Sequence, residues 1–303
     1  MSLIASTLKA RDVEETLDVY FYRPLGYVVA RISKFLGITP NAVTIISIFI
    51  GVGAGFMFYY RDFVLNLWGI LLWVIADVFD SADGQLARMT NHKSKIGRIL
   101  DGVATNIIFV SLYLNLFARI VNMGYSPWWF LIVLMGAASH SVQSALADYY
   151  RNAYLMFVVD PQKSELHRSA DLKIEYAALG KETNLVQRLL TKMYLDYTVR
   201  QEKLSKNFQV LRNRVDQRFG KAIPDWFREE YRKFNKPLMK YYAILTTNTR
   251  MIVMSVCVLI DQPLWYFFAE AIGINIVMVL LTIYQEGLSK RLSDEIDLHG
   301  AQA

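Results

Sequence analysis

Six stretches of mostly apolar residues, each about twenty long, constrain this chain more than any other feature; they lie at about 41–60, 64–82, 98–118, 127–147, 239–260 and 263–286. At a helical rise of about 1.5 Å per residue, a run of that length matches the hydrocarbon core of a bilayer. Lipid offers no partner to backbone N–H and C=O groups, so a spanning segment must satisfy them internally. The expected fold class is therefore all-α and polytopic, with six transmembrane helices. A hydrophobic content of 54% and an aromatic content of 14% agree, both above the soluble norm.

The remaining segments divide the chain into an N-terminal juxtamembrane region at 1–39, spans one to four at 40–150, an insert at 151–238, spans five and six at 239–288, and a tail at 289–303. Lys9, Arg11, Arg23, Arg31 and Lys34 precede the first span, and Arg88, Lys93, Lys95 and Arg98 follow the second. The alternate loops hold little basic charge, so both termini and the insert are expected in the cytoplasm. The N-terminal twenty residues carry acids and bases where a leader peptide needs an unbroken apolar stretch, and none is expected. Cys257 is single and sits in an apolar run, which excludes a disulfide framework and a cysteine metal site. A formal charge of +6 is too small to argue for nucleic acid and suits loops facing anionic lipid. Within the insert, Phe208, Leu211, Val215 and Phe219 recur at helical spacing. That predicts an amphipathic helix packed on the core or on a partner subunit, or alternatively lying on the membrane surface.

Acids occur where apolar residues should be. The second span ends Asp77-Val-Phe-Asp80-Ser-Ala-Asp83-Gly84-Gln-Leu-Ala87-Arg88, and the third opens Gly97-Arg-Ile-Leu-Asp101-Gly-Val-Ala-Thr105. A carboxylate at a helix centre costs roughly 2.5–3.5 kcal/mol on insertion scales, so several on one span imply a use. Asp80 and Asp83 lie one turn apart with Gly84 and Ala87 beside them, and Gly97, Asp101 and Thr105 form a second stripe. Facing each other, the stripes would place oxygen ligands around Mg²⁺ or Mn²⁺. Metal-assisted phosphoryl transfer needs this arrangement: the small residues leave room for a nucleotide and Arg88 offers a planar clamp for phosphate. The alternative is that the acids pair with Arg88, Arg98 and neighbouring lysines at the membrane edge.

These residues resemble the CDP-alcohol phosphotransferase family. Its signature, D-x2-D-G-x2-A-R-x8-G-x3-D-x3-D, is matched by Asp80, Asp83, Gly84, Ala87, Arg88, Gly97 and Asp101, seven of eight positions. The resemblance implies that Asp80, Asp83 and Asp101 hold Mg²⁺ or Mn²⁺. It also implies that Asp80, Gly84, Ala87 and Arg88 line the cytidine-diphosphate site, and that Asn41 and Thr44, in Pro40-Asn41-x-x-Thr44, lie near the nucleotide. It implies a homodimer in the membrane, with the active site facing the cytoplasm. The reaction it implies is transfer from a CDP-linked donor to an alcohol with release of CMP. CDP-diacylglycerol donating to a polar alcohol such as inositol phosphate is one version, and a CDP-headgroup donating to a lipid hydroxyl such as diacylglycerol or ceramide is the other. At the eighth position, where the family's last aspartate serves as ligand and base, this chain has Thr105, whose hydroxyl takes no proton at neutral pH. Three explanations compete: Asp77 or Asp148 replaces it beside Asp101, an ionised phosphate acceptor needs less help, or the protein is a catalytically impaired relative.

On the fourth span His140, Ser141, Ser144, Asp148 and Arg151 share one helical face with Gln143 beside it, a polar stripe expected to face a protein cavity. His140 is read first as a satisfied core histidine. Arg250, deep in the fifth span, needs an anionic partner. By resemblance to the phosphatidylinositol-phosphate branch, Arg250 and Arg151 would hold an acceptor phosphate; Asp77 or Glu270 are the alternative partners of Arg250. A transporter using the same acids is the other function class, but no polar trail leads from the cytoplasmic end to the far face.

Overall fold

The computed structural model describes residues 12–91, 95–180, 184–220 and 222–301, all helix, turn or irregular chain with no strand among them. Lys9, Arg11 and Lys93 lie outside the described residues, as do the side chains of Lys95 and Arg98. Helices α1 to α5 are Arg23–Phe35, Pro40–Tyr59, Phe63–Met89, Lys95–Asn122 and Phe130–Tyr154. They continue with α6 to α9 at Ser169–Ala178, Leu185–Leu204, Lys206–Phe219 and Asp225–Asn235, and α10 to α13 at Met239–Tyr242, Thr247–Leu259, Pro263–Phe268 and Asn275–Ala301. Among the described residues, five segments are long and apolar enough to cross a membrane: Pro40–Tyr59, Phe63–Met89, Leu100–Asn122, Pro127–Val159 and Pro263–Leu298. Met239–Leu245 with Thr247–Leu259 makes a sixth, bent by 49°.

Three boundaries differ from expectation. The fourth helical segment runs on to Val159 through a π turn at Leu155–Val159, and the sixth continues as α13 through the region expected to be a separate tail. Hydropathy falls at both ends, but helical periodicity does not, and tertiary packing sustains the helix. The fifth breaks at Thr246, which is extended, and the hydroxyls of Thr246 and Thr249 donate to the Ala243 carbonyl at 2.6 and 3.1 Å. A Thr-Thr-Asn-Thr run offers the backbone competing partners there.

The chain forms two compact units. The first comprises residues 1–139 and 250–271. Its α2 starts where Thr39 accepts from the Ala42 N–H at 3.3 Å and Pro40 fills a position needing no donor, and α3 starts where Asp62 accepts from the Leu65 N–H at 2.8 Å. Glycines let α2 approach its neighbours: a Cβ on Gly55 would lie 2.4 Å from Ser111 Oγ and 3.0 Å from its backbone carbon, and one on Gly51 would lie 2.7 Å from Ile108. Van der Waals contact at small residues is what holds helices together in lipid. Edge-to-face rings of Phe58, Trp73, Phe109, Tyr113 and Phe267 fill the core. Arg119, 1% exposed, donates to Asp261 Oδ1 at 2.7 Å, Asn66 Oδ1 at 3.2 Å and the Phe58 and Val258 carbonyls, while Arg61 reaches the other Asp261 oxygen.

The second unit comprises residues 140–249 and 272–303. Phe208, Leu211 and Val215 are fully buried, α8 packs on α13, and the Phe219 ring meets Trp226 and Phe227. The amphipathic stripe of the insert is therefore interior packing, the first of the readings its spacing allowed. Glu286 accepts from the Asn207 and Phe208 N–H groups at 2.6 and 3.3 Å, an acid at the N-terminus of α8.

Candidate active site

The first unit brings Asp80 and Asp83, near the C-terminal end of α3, against Asp101, near the start of α4; one carboxylate oxygen from each lies within 4.8 Å of the others. Asp80 is in hydrogen-bond contact with Asp101, with the Asp83 and Asp77 carboxylates near it. Two carboxylates in contact repel unless a proton or cation lies between them. Thr44, 3% exposed on α2, donates to Asp83 Oδ2 at 2.5 Å, which fixes that carboxylate's rotation. Arg88 acts electrostatically on Asp83, and its guanidinium lies over Gly84, where an added Cβ would sit 3.6 Å from Nη1. Ala87 is half-buried beside them, and Asn41 is exposed in the first turn of α2.

Helix α1 buttresses the far side of this segment. Gln85 donates to the Arg23 carbonyl at 3.0 Å and to Ser81 Oγ at 3.3 Å, and Lys34 Nζ reaches the Met89 carbonyl at 3.2 Å. A Cβ on Gly26 would lie 2.9 Å from both Gln85 Nε2 and Ser81 Oγ. Sequence reasoning missed Gln85 and Ser81; the available signal was a lone glycine in an α1 otherwise built of larger residues.

The other predicted residues are distributed as follows. Asp77 lies one turn from Asp80 and outside the ligand group, with Asp18 as its charged neighbour. Thr105 is half-buried, and its hydroxyl donates back to the Asp101 carbonyl at 3.3 Å. In the second unit Asp148 is exposed: Oδ1 accepts from Asn152 at 2.9 Å and Oδ2 from Tyr197 at 3.3 Å. Burial, with Asp148 beside it, pushes the Tyr197 hydroxyl well above its ordinary pKa. His140 is buried, Gln143 donates to Asn275 at 2.9 Å, and Arg151 is half-buried. The stripe on the fourth span thus divides into buried and exposed members. Arg250, expected on an acceptor phosphate, has zero exposure, and its Nε meets Glu270 Oε1 at 3.0 Å, also fully buried. Tyr266 donates to the other Glu270 oxygen at 3.3 Å, and Tyr113 lies 2.9 Å from the Tyr266 hydroxyl. Of the partners open to Arg250, the structure pairs it with Glu270.

Three convergent carboxylate oxygens, with no nitrogen or sulfur donor among them, suit a hard divalent cation such as Mg²⁺ or Mn²⁺. The same stretch of chain matches a family model: residues 37–159 fit that of CDP-alcohol phosphatidyltransferase. The chain carries a domain of this family. The chain is 42% identical over 77 residues to the archaetidylinositol phosphate synthase of Pyrococcus horikoshii, covering 25% of this chain and 39% of that protein. It is 31% identical over 101 residues to the CDP-diacylglycerol–glycerol-3-phosphate 3-phosphatidyltransferase of Cereibacter sphaeroides, covering 32% and 42%. A bifunctional IPC transferase and DIPP synthase of Thermococcus kodakarensis is 26% identical over 145 residues, 47% of this chain and 32% of that protein. The chain therefore spans less than half the length of each of these relatives.

Proposed function

We propose that this chain is a divalent-metal-dependent CDP-alcohol phosphotransferase of membrane lipid synthesis, with CDP-diacylglycerol as donor and an inositol-phosphate-like polar alcohol as acceptor. One observation carries the reading: Asp80, Asp83 and Asp101 converge on a single point within a CDP-alcohol phosphatidyltransferase domain. The acceptor choice leans on the likeness to an archaetidylinositol phosphate synthase. Asp80, Asp83 and Asp101 would hold Mg²⁺ or Mn²⁺, which when bound neutralises a pyrophosphate and aligns the attacking and leaving oxygens. Thr44 keeps Asp83 in its ligand rotamer through the hydroxyl bond to Oδ2. Arg88 presents its guanidinium to phosphate above Gly84, where no side chain stands in the way, and Ala87 and Asn41 border the nucleotide. Arg151 is assigned to the acceptor phosphate.

The acceptor hydroxyl oxygen bonds to the β-phosphorus of the donor, the bond from that phosphorus to the bridging oxygen of CMP breaks, and CMP leaves with the electron pair. The hydroxyl proton goes to a carboxylate. Thr105 cannot take it, so Asp77 is the proposed base and Asp148 the second candidate. The measurement is CMP release in lipid vesicles with Mg²⁺, comparing CDP-diacylglycerol plus inositol phosphate with CDP-headgroups plus diacylglycerol. Wild type is expected to turn over the first pair, and Asp77→Asn to lose most of that rate. Full rate in both Asp77→Asn and Asp148→Asn would sink the replacement base. No CMP from any donor would sink the enzyme reading, and ion flux in its place would make the protein a transporter.

A further inference from the structure

We infer that the protein by itself holds one divalent ion per chain at this centre, and that Thr105 is the residue that limits it to one. The inference rests on the metal reading proposed above. Size argues first. One oxygen from each of the three carboxylates lies within 4.8 Å of the others, a little over the roughly 4.2 Å that separates opposite donors on a single Mg²⁺, so a small inward shift lets all three share one ion. A two-ion centre with its ions about 3.5–4 Å apart needs donors on both outer sides, a span of about 8 Å. Among the described residues no fourth His, Cys, Asp or Glu joins the group. The position one turn beyond Asp101 on the same face of α4 is Thr105, and its hydroxyl is turned back onto the Asp101 carbonyl.

Charge argues the same way. Three carboxylates and Arg88 sum to −2, which one divalent ion offsets; two ions would leave an excess of +2 in a half-buried site before any substrate arrives. The hydroxyl of Thr44 is the third argument: it engages Oδ2 of Asp83, so that carboxylate is poorly placed to bridge two ions through both oxygens.

The test is Mn²⁺ binding to the purified full-length chain in detergent, by equilibrium dialysis with metal analysis and by electron paramagnetic resonance, without nucleotide. Wild type is expected to bind one Mn²⁺ per chain with the sextet of an isolated ion, and Thr105→Asn to stay at one. Thr105→Asp is expected to double the stoichiometry and to give the spin-coupled spectrum of two neighbouring ions. Two coupled ions in wild type would overturn the inference while leaving the metal reading intact. A single ion in folded Thr105→Asp would overturn the assignment to Thr105. Absence of Mn²⁺ from wild type, matched by Asp80→Asn, would take down the metal reading itself. If Thr105→Asp does not fold, the wild-type stoichiometry and spectrum still decide the ion count.

Discussion

Two sets of charges within the first unit follow opposite rules. Arg250 and Glu270 are both fully buried at 3.0 Å, and Arg119 and Asp261 meet at 2.7 Å, each cation facing its anion with further hydrogen bonds around it. Asp80, Asp83 and Asp101 instead face one another, with Arg88 the cation acting on Asp83. A pair of opposite charges completes itself from within the chain and so explains its own presence. Three like charges held together raise the energy of the empty site, and folding tolerates that only where something else supplies the balance. The contrast separates charges that balance one another within the fold from charges that do not, a distinction that depth in the bilayer alone does not make.

The largest effect that could break this contrast is on turnover. Asp83→Asn is expected to lower CMP release by at least about three orders of magnitude, near 4 kcal/mol of barrier, with folding and thermal stability retained or improved because a like charge is removed. Wild-type rate in this variant, or in wild type with excess chelator, would refute the ligand role. Arg250→Ala should do the reverse: leaving Glu270 buried without its cation costs about 3–5 kcal/mol, read as loss of folded protein in detergent. Arg250→Met with Glu270→Met should recover much of that stability. A stable Arg250→Ala with a raised acceptor KM would move Arg250 from the structural set to the site.

The smallest effect sharpens the comparison at the membrane edge. Asp261 is partly buried, which raises its pKa, but hydrogen bonds and charge from Arg61 and Arg119 outweigh burial and hold it below its ordinary value of 3.8. A carboxyl depressed in the folded state contributes stability fully above its unfolded pKa and loses it as pH falls through the folded one. Asp261→Asn should therefore cost about 2 kcal/mol near neutral pH, the range for a hydrogen bond to a charged group. Its melting temperature should converge on wild type as pH drops below 3.8. A constant gap across that window would show that Arg119 does not depend on the charge of Asp261.

The spans and the acid cluster were legible in the sequence for the same reason: burying apolar helices and tolerating buried carboxylates are both strong, local energetic demands. Asp80, Asp83 and Asp101 meet as their spacing required, and the departure at Thr105 was visible before any coordinate. Distributed packing was less legible. The break at Thr246 needed the balance between a threonine-rich run and its neighbours, and the sixth helix outlasted its hydropathy because α8 packs against it. The partner of Arg250 stayed open because two distant acids fitted equally well until the fold put Glu270 beside it. Gln85 left only the indirect trace of Gly26 opposite it, since its role is a hydrogen bond to a backbone carbonyl of another helix.

The glycine contacts along α2 carry a consequence for how this domain tolerates change. Ser111, which a Cβ on Gly55 would strike, lies ten residues along α4 from Asp101, about 15 Å at helical rise. Helix α4 is a stiff rod pressed against α2 at that point, so one added methyl acts as a fulcrum under it, and the far end that bears Asp101 must swing. The metal reading proposed above would require ligand distances held to within about 0.2 Å at that end. The alignment of the three aspartates is therefore set partly along the length of the spans, at positions that touch none of them, and the substitution ordinarily counted as the mildest, glycine to alanine, is there a change of alignment.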